Sequence, residues 1–456
     1  MTRMASGVDV VSIVDEGLGN TSYLVDLGDG RALVVDPGRD PRPYRSEAAR
    51  RGLSVAFAAE THLHADFVSG AGELAADGAT ILASAAGNRA FPHHGLHDAD
   101  DVDLGGLHLR TLATPGHTPE HVAYLLLDGN RPAGVFTGGS LLVGAVARTD
   151  LISADRTDEL ARALYHSIHD TLLQLPDDLP VYPTHGAGSF CSAPAGAERT
   201  TTIARERAAN PFLSAPDEDA FVARLVAGLG TYPPYFDRLQ EVNRRGPHVY
   251  GTAPVLQRLD AARVRRMLAD GATVVDARPY ADYAAGHIPG SLSIQLRPAF
   301  ATWLGWVVPD GVPVAVVLGD EQDRTDLVWQ ALTVGYETLA GELDGGMAAW
   351  RAAGFEERSV ALVSPQLLPA TPLVDVRQSS EYTAGHIPGA LSVELGTAGA
   401  ATGLPSGPLT VTCGHAERAM TGASLLERAG RTELNVVDGG TDAWAALPGN
   451  RLEPDP

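Results

Sequence analysis

The stretch Thr61-His62-Leu63-His64-Ala65-Asp66 places two histidines and an aspartate within six residues, directly after the strand-like run Leu53 to Ala59. A strand that ends in such a loop holds imidazole and carboxylate groups at a sheet edge, where a rigid scaffold positions them best. A further histidine follows in Thr114-Pro115-Gly116-His117-Thr118, and another in Pro183-Thr184-His185-Gly186. Neutral imidazoles gathered from several strand ends suit zinc or iron.

Outward from this loop, the chain alternates strand and turn. Asn20 to Asp26, Gly28-Asp29-Gly30 and Arg31 to Asp36 read as a hairpin with a glycine-bearing turn. Pro41 to Arg51 reads as a helix. Leu107 to Thr111, Val122 to Leu127 and Gly134 to Thr137 read as further strands. From about residue 200 to 245 the pattern turns helical, interrupted by Pro233-Pro234, and Gly246-Pro247 with Gly251-Thr252 marks an exit into a linker.

The remainder repeats itself. Val274-Val275-Asp276-Ala277-Arg278 with Gly286-His287-Ile288-Pro289-Gly290 recurs, 99 residues on, as Leu373-Val374-Asp375-Val376-Arg377 with Gly385-His386-Ile387-Pro388-Gly389. Asp344-Gly345-Gly346 with Trp350 likewise recurs as Asp438-Gly439-Gly440 with Trp444. A repeat of this length is a whole domain. The expected division is 1–248, 254–356 and 361–456. Short apolar strands alternating with helical segments in each copy imply a parallel sheet covered by helices.

In the second copy the strand Leu409 to Thr412 ends at Cys413, followed by Gly414-His415-Ala416-Glu417-Arg418 and a helical run. A cysteine in a loop that opens a helix is expected to gain from backbone N–H groups and the helix dipole, both favouring thiolate or persulfide. Arg418 adds a fixed cation with a forked donor set. This copy resembles a rhodanese domain, whose cysteine carries a persulfide. The loop from Cys413 to Arg418 is one residue shorter than that of the related phosphatases, which favours sulfur transfer. Cys413 and Arg418 are therefore the expected catalytic pair. In the first copy Leu318 stands at the cysteine's place, followed by Gly319-Asp320-Glu321-Gln322-Asp323. That copy is expected to be catalytically inactive. His287 and His386 read as structural, and Cys191 as a packed thiol.

With Asp66 and His185, the histidine motifs resemble the metallo-β-lactamase superfamily, an αββα sandwich with its metals at the sheet edges. The whole order, an α/β sandwich followed by two rhodanese-like parallel-sheet domains, resembles the persulfide dioxygenase-rhodanese fusion proteins, with Val35-Asp36-Pro37-Gly38, Arg148-Thr149-Asp150-Leu151 and Tyr232-Pro233-Pro234-Tyr235-Phe236 as supporting matches. The resemblance implies one ferrous iron held by two histidines and an aspartate. His62 and His117 fall on the histidines, and Gly139 of Phe136-Thr137-Gly138-Gly139-Ser140 falls on the aspartate. Phe67 replaces a histidine that two-metal hydrolases of the superfamily need.

The reading that follows is one ion, Fe(II) or alternatively Zn(II), held by His62, His64 and His117, with Asp66 and His185 behind them or vestigial. The resemblance implies that Arg148 binds substrate, with a structural salt bridge as the alternative. Gly139→Asp is expected to increase iron retention. The expected function is oxidation of a low-molecular-weight thiol persulfide to sulfite, with Cys413 exchanging sulfane sulfur and giving thiosulfate. Two alternatives stand beside it: a sulfurtransferase or sulfur carrier whose first domain is silent, and a metal-dependent thioester hydrolase.

Composition narrows the remaining classes. A formal charge of −22 opposes nonspecific nucleic-acid binding. The chain holds no lysine, which removes lysine Schiff-base chemistry. Two cysteines far apart in sequence fit a reducing compartment rather than a disulfide framework. No membrane partner, a cytoplasmic location and, from the resemblance, a homodimer complete the expectation.

Overall fold

The computed structural model describes residues 7–191 and 198–455. The chain divides into two compact units, one of residues 1–253 with 329–335 and one of 254–328 with 336–456.

The first unit contains two six-stranded sheets. One begins with the antiparallel strands Val10–Asp15, Asn20–Asp26 and Arg31–Val35 and continues in parallel through Ser54–Glu60, Thr80–Ser84 and His94–Leu96. The expected hairpin is present, with Tyr23 opposite Val35 and Asp26 opposite Ala32. The other sheet is centred on the antiparallel strands Leu107–Ala113, Val122–Asp128 and Arg131–Gly138, with Pro180–Pro183 parallel to the last.

Alternation along these strands makes the core. Tyr23, Val25, Leu33, Leu109, Tyr124 and Phe136 point from both sheets into one buried cluster. The opposite faces are covered by helices: Tyr44 and Ala48 of Arg42–Arg51 pack on Leu24 and Val34, and Ala161, Leu164, Ile168 and Leu172 pack on Leu125, Val135 and Val181. A strand buried on both sides carries the near-continuous apolar run seen in Val122–Asp128.

The second unit holds two five-stranded, all-parallel sheets of identical strand order. The repeated motifs explain the shared order. Arg278 is held by both oxygens of Asp276 and donates to Gly286 O at 2.8 Å; Arg377 does the same with Asp375 and Gly385 O at 2.8 Å. His287 and His386 stack on Tyr283 and Tyr382 at 3.9 Å and hydrogen-bond their backbone oxygens. Each of these histidines braces the turn that carries it. No helix among the described residues is long and apolar enough to cross a membrane.

Candidate metal centre and thiol site

The strand Ser54–Glu60 delivers Thr61 to Asp36, whose positive φ of 49° ends the neighbouring strand with its carboxylate turned inward. Thr61 donates through N and Oγ1 to that carboxylate, both at 2.7 Å, and Thr184 donates to it from the other sheet. Burial works against the charge on Asp36, but His64 beside it and these hydrogen bonds prevail and keep it below the usual carboxylate range. The ligand loop is clamped elsewhere too. Glu120 accepts Leu63 N at 2.8 Å. Asn243 donates to His64 O and Phe67 O and accepts Ser69 N, each at 2.8 Å.

Five buried histidines meet beside this loop. His62 lies with its ring centre 4.7 Å from that of His117, 5.0 Å from His121 and 5.4 Å from His185. Burial, reinforced by the other imidazoles, drives His62 well below the ordinary histidine value and His117 down to about 3, so both are neutral. His64 takes a different direction. Its Nε2 is 3.3 Å from Asp36 Oδ1 and its ring stacks on Phe67 at 4.1 Å, and Asp36 outweighs burial to raise its pKa.

Among the described residues, three groupings bring ligand atoms within 4.8 Å of one another: His62 with His117 and His185, Asp36 with His62 and His64, and His64 with Asp66 and His185. The expected trio of His62, His64 and His117 is not among them, because His64 is turned toward Asp36. Asp66 is tied through Oδ2 to Asn20 Nδ2 at 2.7 Å, while its Oδ1 and His117 Nε2 are buried without a hydrogen-bond partner. Orphaned buried acceptors beside unprotonated imidazoles fit a divalent transition metal.

Gly139 sits against this cluster. Its N–H donates to His121 Nε2 at 2.9 Å, and a Cβ placed there would lie 2.3 Å from His117 Cδ2. The His117 ring thus occupies the room an aspartate would use. Arg148 forms the salt bridge that is the alternative to substrate binding. Its guanidinium is held by both oxygens of Asp150, by Phe190 O and by Gly230 O, and stacks over Tyr232 at 4.6 Å. With its donors committed and 6% exposure, it is a brace for the loop rather than a substrate ligand, and its backbone oxygen accepts His117 Nδ1 at 2.8 Å.

Cys413 is buried at the end of Leu409–Thr412, and its Sγ accepts Ala419 N at 3.2 Å. Ala416, at φ 90°, curls the loop around the sulfur. Gly440 backs it so closely that a Cβ would lie 2.1 Å from Cys413 O, which together with φ +63° requires glycine. The expected lowering of the thiol pKa is not what results: burial pushes the Cys413 thiol up, and Arg418 with the amides of Ala419, His415 and Ala416 offsets this only in part. Alkylation of the free thiol by iodoacetamide is therefore expected to be slower at neutral pH than that of an ordinary exposed cysteine and to rise with pH. A rate plateau near neutrality would contradict this.

Arg418 is gripped by both oxygens of Glu381, at 2.6 and 2.7 Å, and lies over the Trp303 ring at 5.6 Å. Tyr280 donates to Asp438 at 2.8 Å beside the same loop. Tyr280 and Trp303 belong to the copy without a cysteine, where Leu318 is buried and Gln322 and Arg324 fill the loop by bonding Gly319 N and Gly319 O. Because Glu381 neutralises Arg418, Glu381→Gln is expected to lower KM for thiosulfate by roughly tenfold, the worth of one freed charge-assisted contact. Steady-state cyanide assays would show it, and an unchanged KM would argue against it.

Asp36, His121, Asn243 and Glu381 escaped sequence reading. His121 had a signal, since it follows His117 by four residues in His117-Thr118-Pro119-Glu120-His121. Asn243 and Glu381 reach the sites only through tertiary packing.

Comparison with known proteins agrees with this architecture. The metallo-beta-lactamase superfamily profile matches residues 15–185, and the rhodanese-like domain profile matches 260–353 and 363–447. The human mitochondrial persulfide dioxygenase ETHE1 is 31% identical over 203 residues, covering 44% of this chain and 73% of that protein. The probable metallo-hydrolase YqgX of Bacillus subtilis is 29% identical, covering 41% of this chain and 90% of that protein. A crystal structure of a metallo-beta-lactamase from Staphylococcus aureus subsp. aureus COL aligns with TM-score 0.64 and 30% identity, over 74% of this chain and 98% of that one. The chain belongs to the metallo-beta-lactamase superfamily, as a homologue of the persulfide dioxygenases that carries rhodanese-like domains behind that fold. It is an enzyme.

Proposed function

We propose that this enzyme handles low-molecular-weight thiol persulfides, oxidising them in the first unit and moving their sulfane sulfur through Cys413. The observation that carries the reading is the buried set of neutral imidazoles with an unpartnered nitrogen at His117, on a chain that also holds a cysteine cradled by backbone amides.

The overall oxidation balances as RSSH + O2 + H2O giving RSH and sulfurous acid, with the outer sulfur losing four electrons and dioxygen gaining them. When bound at the histidine cluster, iron(II) supplies the redox chemistry that brings triplet dioxygen to react with sulfur; zinc, the other expected ion, lacks it. The chain's own residues hold neutral imidazoles in place, exclude water by burial and brace the ligand loop through Asp36, Glu120 and Asn243.

At the second site, the Cys413 thiolate attacks the outer sulfur of a persulfide, the S–S bond breaks, and the thiol leaves as thiolate. Sulfite then attacks the outer sulfur of the Cys413 persulfide, releasing thiosulfate and restoring the thiolate. Arg418 faces the incoming sulfur anion, with its charge moderated by Glu381.

Anaerobic reconstitution with Fe(II), followed by oxygen uptake on addition of a thiol persulfide, tests the oxidation. Uptake matched by sulfite is the expected result, and absence of both with iron bound would overturn it. Thioester hydrolysis is the weaker alternative: Phe67 stacks on His64 where a second metal would need a ligand. A silent first domain would leave sulfur transfer intact while His62→Ala changes nothing chemical.

A further inference from the structure

Hydrogen bonding fixes which nitrogen donates in His62, His117, His121 and His185, and this separates ligands from bystanders. Thr61 Oγ1 already donates to Asp36, so at 2.8 Å it must accept from His62 Nδ1. His117 Nδ1 faces the Arg148 carbonyl at 2.8 Å and must donate. His185 Nδ1 is 2.9 Å from Asn20 Oδ1, while Asn20 Nδ2 donates to Asp66. All three imidazoles therefore donate through Nδ1, which leaves Nε2 as the atom each can offer to a metal ion.

Those three Nε2 atoms converge. His62 Nε2 and His185 Nε2 are 3.4 Å apart, and His117 Nε2 has no partner. Two imidazole nitrogens facing one another in a buried site need a cation between them, either a shared proton or a metal ion. Of the other two, His121 uses Nδ1 on Thr114 and accepts Gly139 N on Nε2, while His64 makes no hydrogen bond through either nitrogen but turns Nε2 to within 3.3 Å of Asp36 Oδ1 and falls outside the grouping of His62, His117 and His185.

We propose that His62, His117 and His185 together bind one divalent transition-metal ion through their Nε2 atoms, His185 taking the place of the carboxylate that Gly139 lacks. The proposal rests on the metal-dependent reading above and names its ligands. Each ligand already has an outer partner that fixes ring orientation, namely Thr61, Arg148 O and the Asn20–Asp66 pair. A set without a first-contact carboxylate keeps the ion's double charge and favours imidazole-preferring metals over magnesium or manganese.

The test is titration of the full-length metal-free protein with Co(II) alone, read by calorimetry and by visible d–d absorption. One ion is expected to bind. His185→Ala should weaken binding by more than roughly 100-fold, beyond what loss of an outer partner costs, and change the absorption bands. His64→Asn should leave the bands in place. Proton NMR of the Co(II)-loaded unmodified protein gives a readout independent of variant folding: three shifted, exchangeable imidazole N–H signals are expected. Two signals, or loss of the bands in His64→Asn with retention in His185→Ala, would overturn the ligand assignment while leaving metal dependence standing. Failure of the unmodified protein to bind Co(II) would instead overturn the metal-dependent reading itself.

Discussion

Cys413→Ser is expected to abolish transfer of sulfane sulfur to cyanide or sulfite, a loss of at least roughly a thousandfold in kcat/KM, because a hydroxyl cannot form the persulfide. The fold should survive. Serine is close in size, and its Oγ can accept the Ala419 N–H that Sγ accepts now. Oxygen uptake on a persulfide should persist in this variant, since the oxidising cluster lies in a separate compact unit. Residual sulfur transfer at an appreciable fraction of the original rate would mean that Cys191, the other cysteine, carries sulfur. Its complete burial opposes that outcome.

Gly139→Asp is expected to destabilise the protein by about 3 kcal/mol or more, instead of restoring a stronger metal site. Two terms add. The new Cβ meets His117 Cδ2 at 2.3 Å, and overpacking of this kind costs about 1–3 kcal/mol. The carboxylate that follows it enters a closed, dry cluster, which costs more unless a cation neutralises it. Urea denaturation of the metal-free protein would show a lower midpoint, with Co(II) affinity no higher than that of the parent. A stable variant with tighter metal binding would show that the His117 ring can vacate its position.

A smaller effect concerns the clamp on the ligand loop. Asn243→Ala leaves His64 O, Phe67 O and Ser69 N without their partner, and a loss of about 2–4 kcal/mol is expected from two or more buried groups left unpaired. Its readout is again the denaturation midpoint, and a change under 1 kcal/mol would indicate that water replaces the amide.

Local pattern carried much of the fold. The hairpin around Gly28-Asp29-Gly30, the helix after Pro41 and the alternating strands of both repeats were legible because each is decided by residues a few positions apart. The histidine loop was legible for the same reason. Which histidines share an ion was not, because that depends on the second bond each ring makes, and Asp36, Arg148 O and Asn20 lie between 26 and 165 positions from their imidazoles or reach them through Thr61. Arg148 shows the converse. Its motif leaves substrate binding and a structural salt bridge both open, and its partners Phe190, Gly230 and Tyr232 come from segments that the motif does not contain. The thiol pKa of Cys413 was misjudged because amide donors are readable from a loop sequence and depth of burial is not.

Trp303 and Tyr280 place two side chains of the cysteine-less copy beside the Cys413 loop. That gives the two copies unequal mutational freedom at matching positions. Leu318, whose side chain cannot carry a persulfide, tolerates other apolar residues of similar volume, whereas Trp303 and Tyr280 are tied to the Cys413 loop of the other copy.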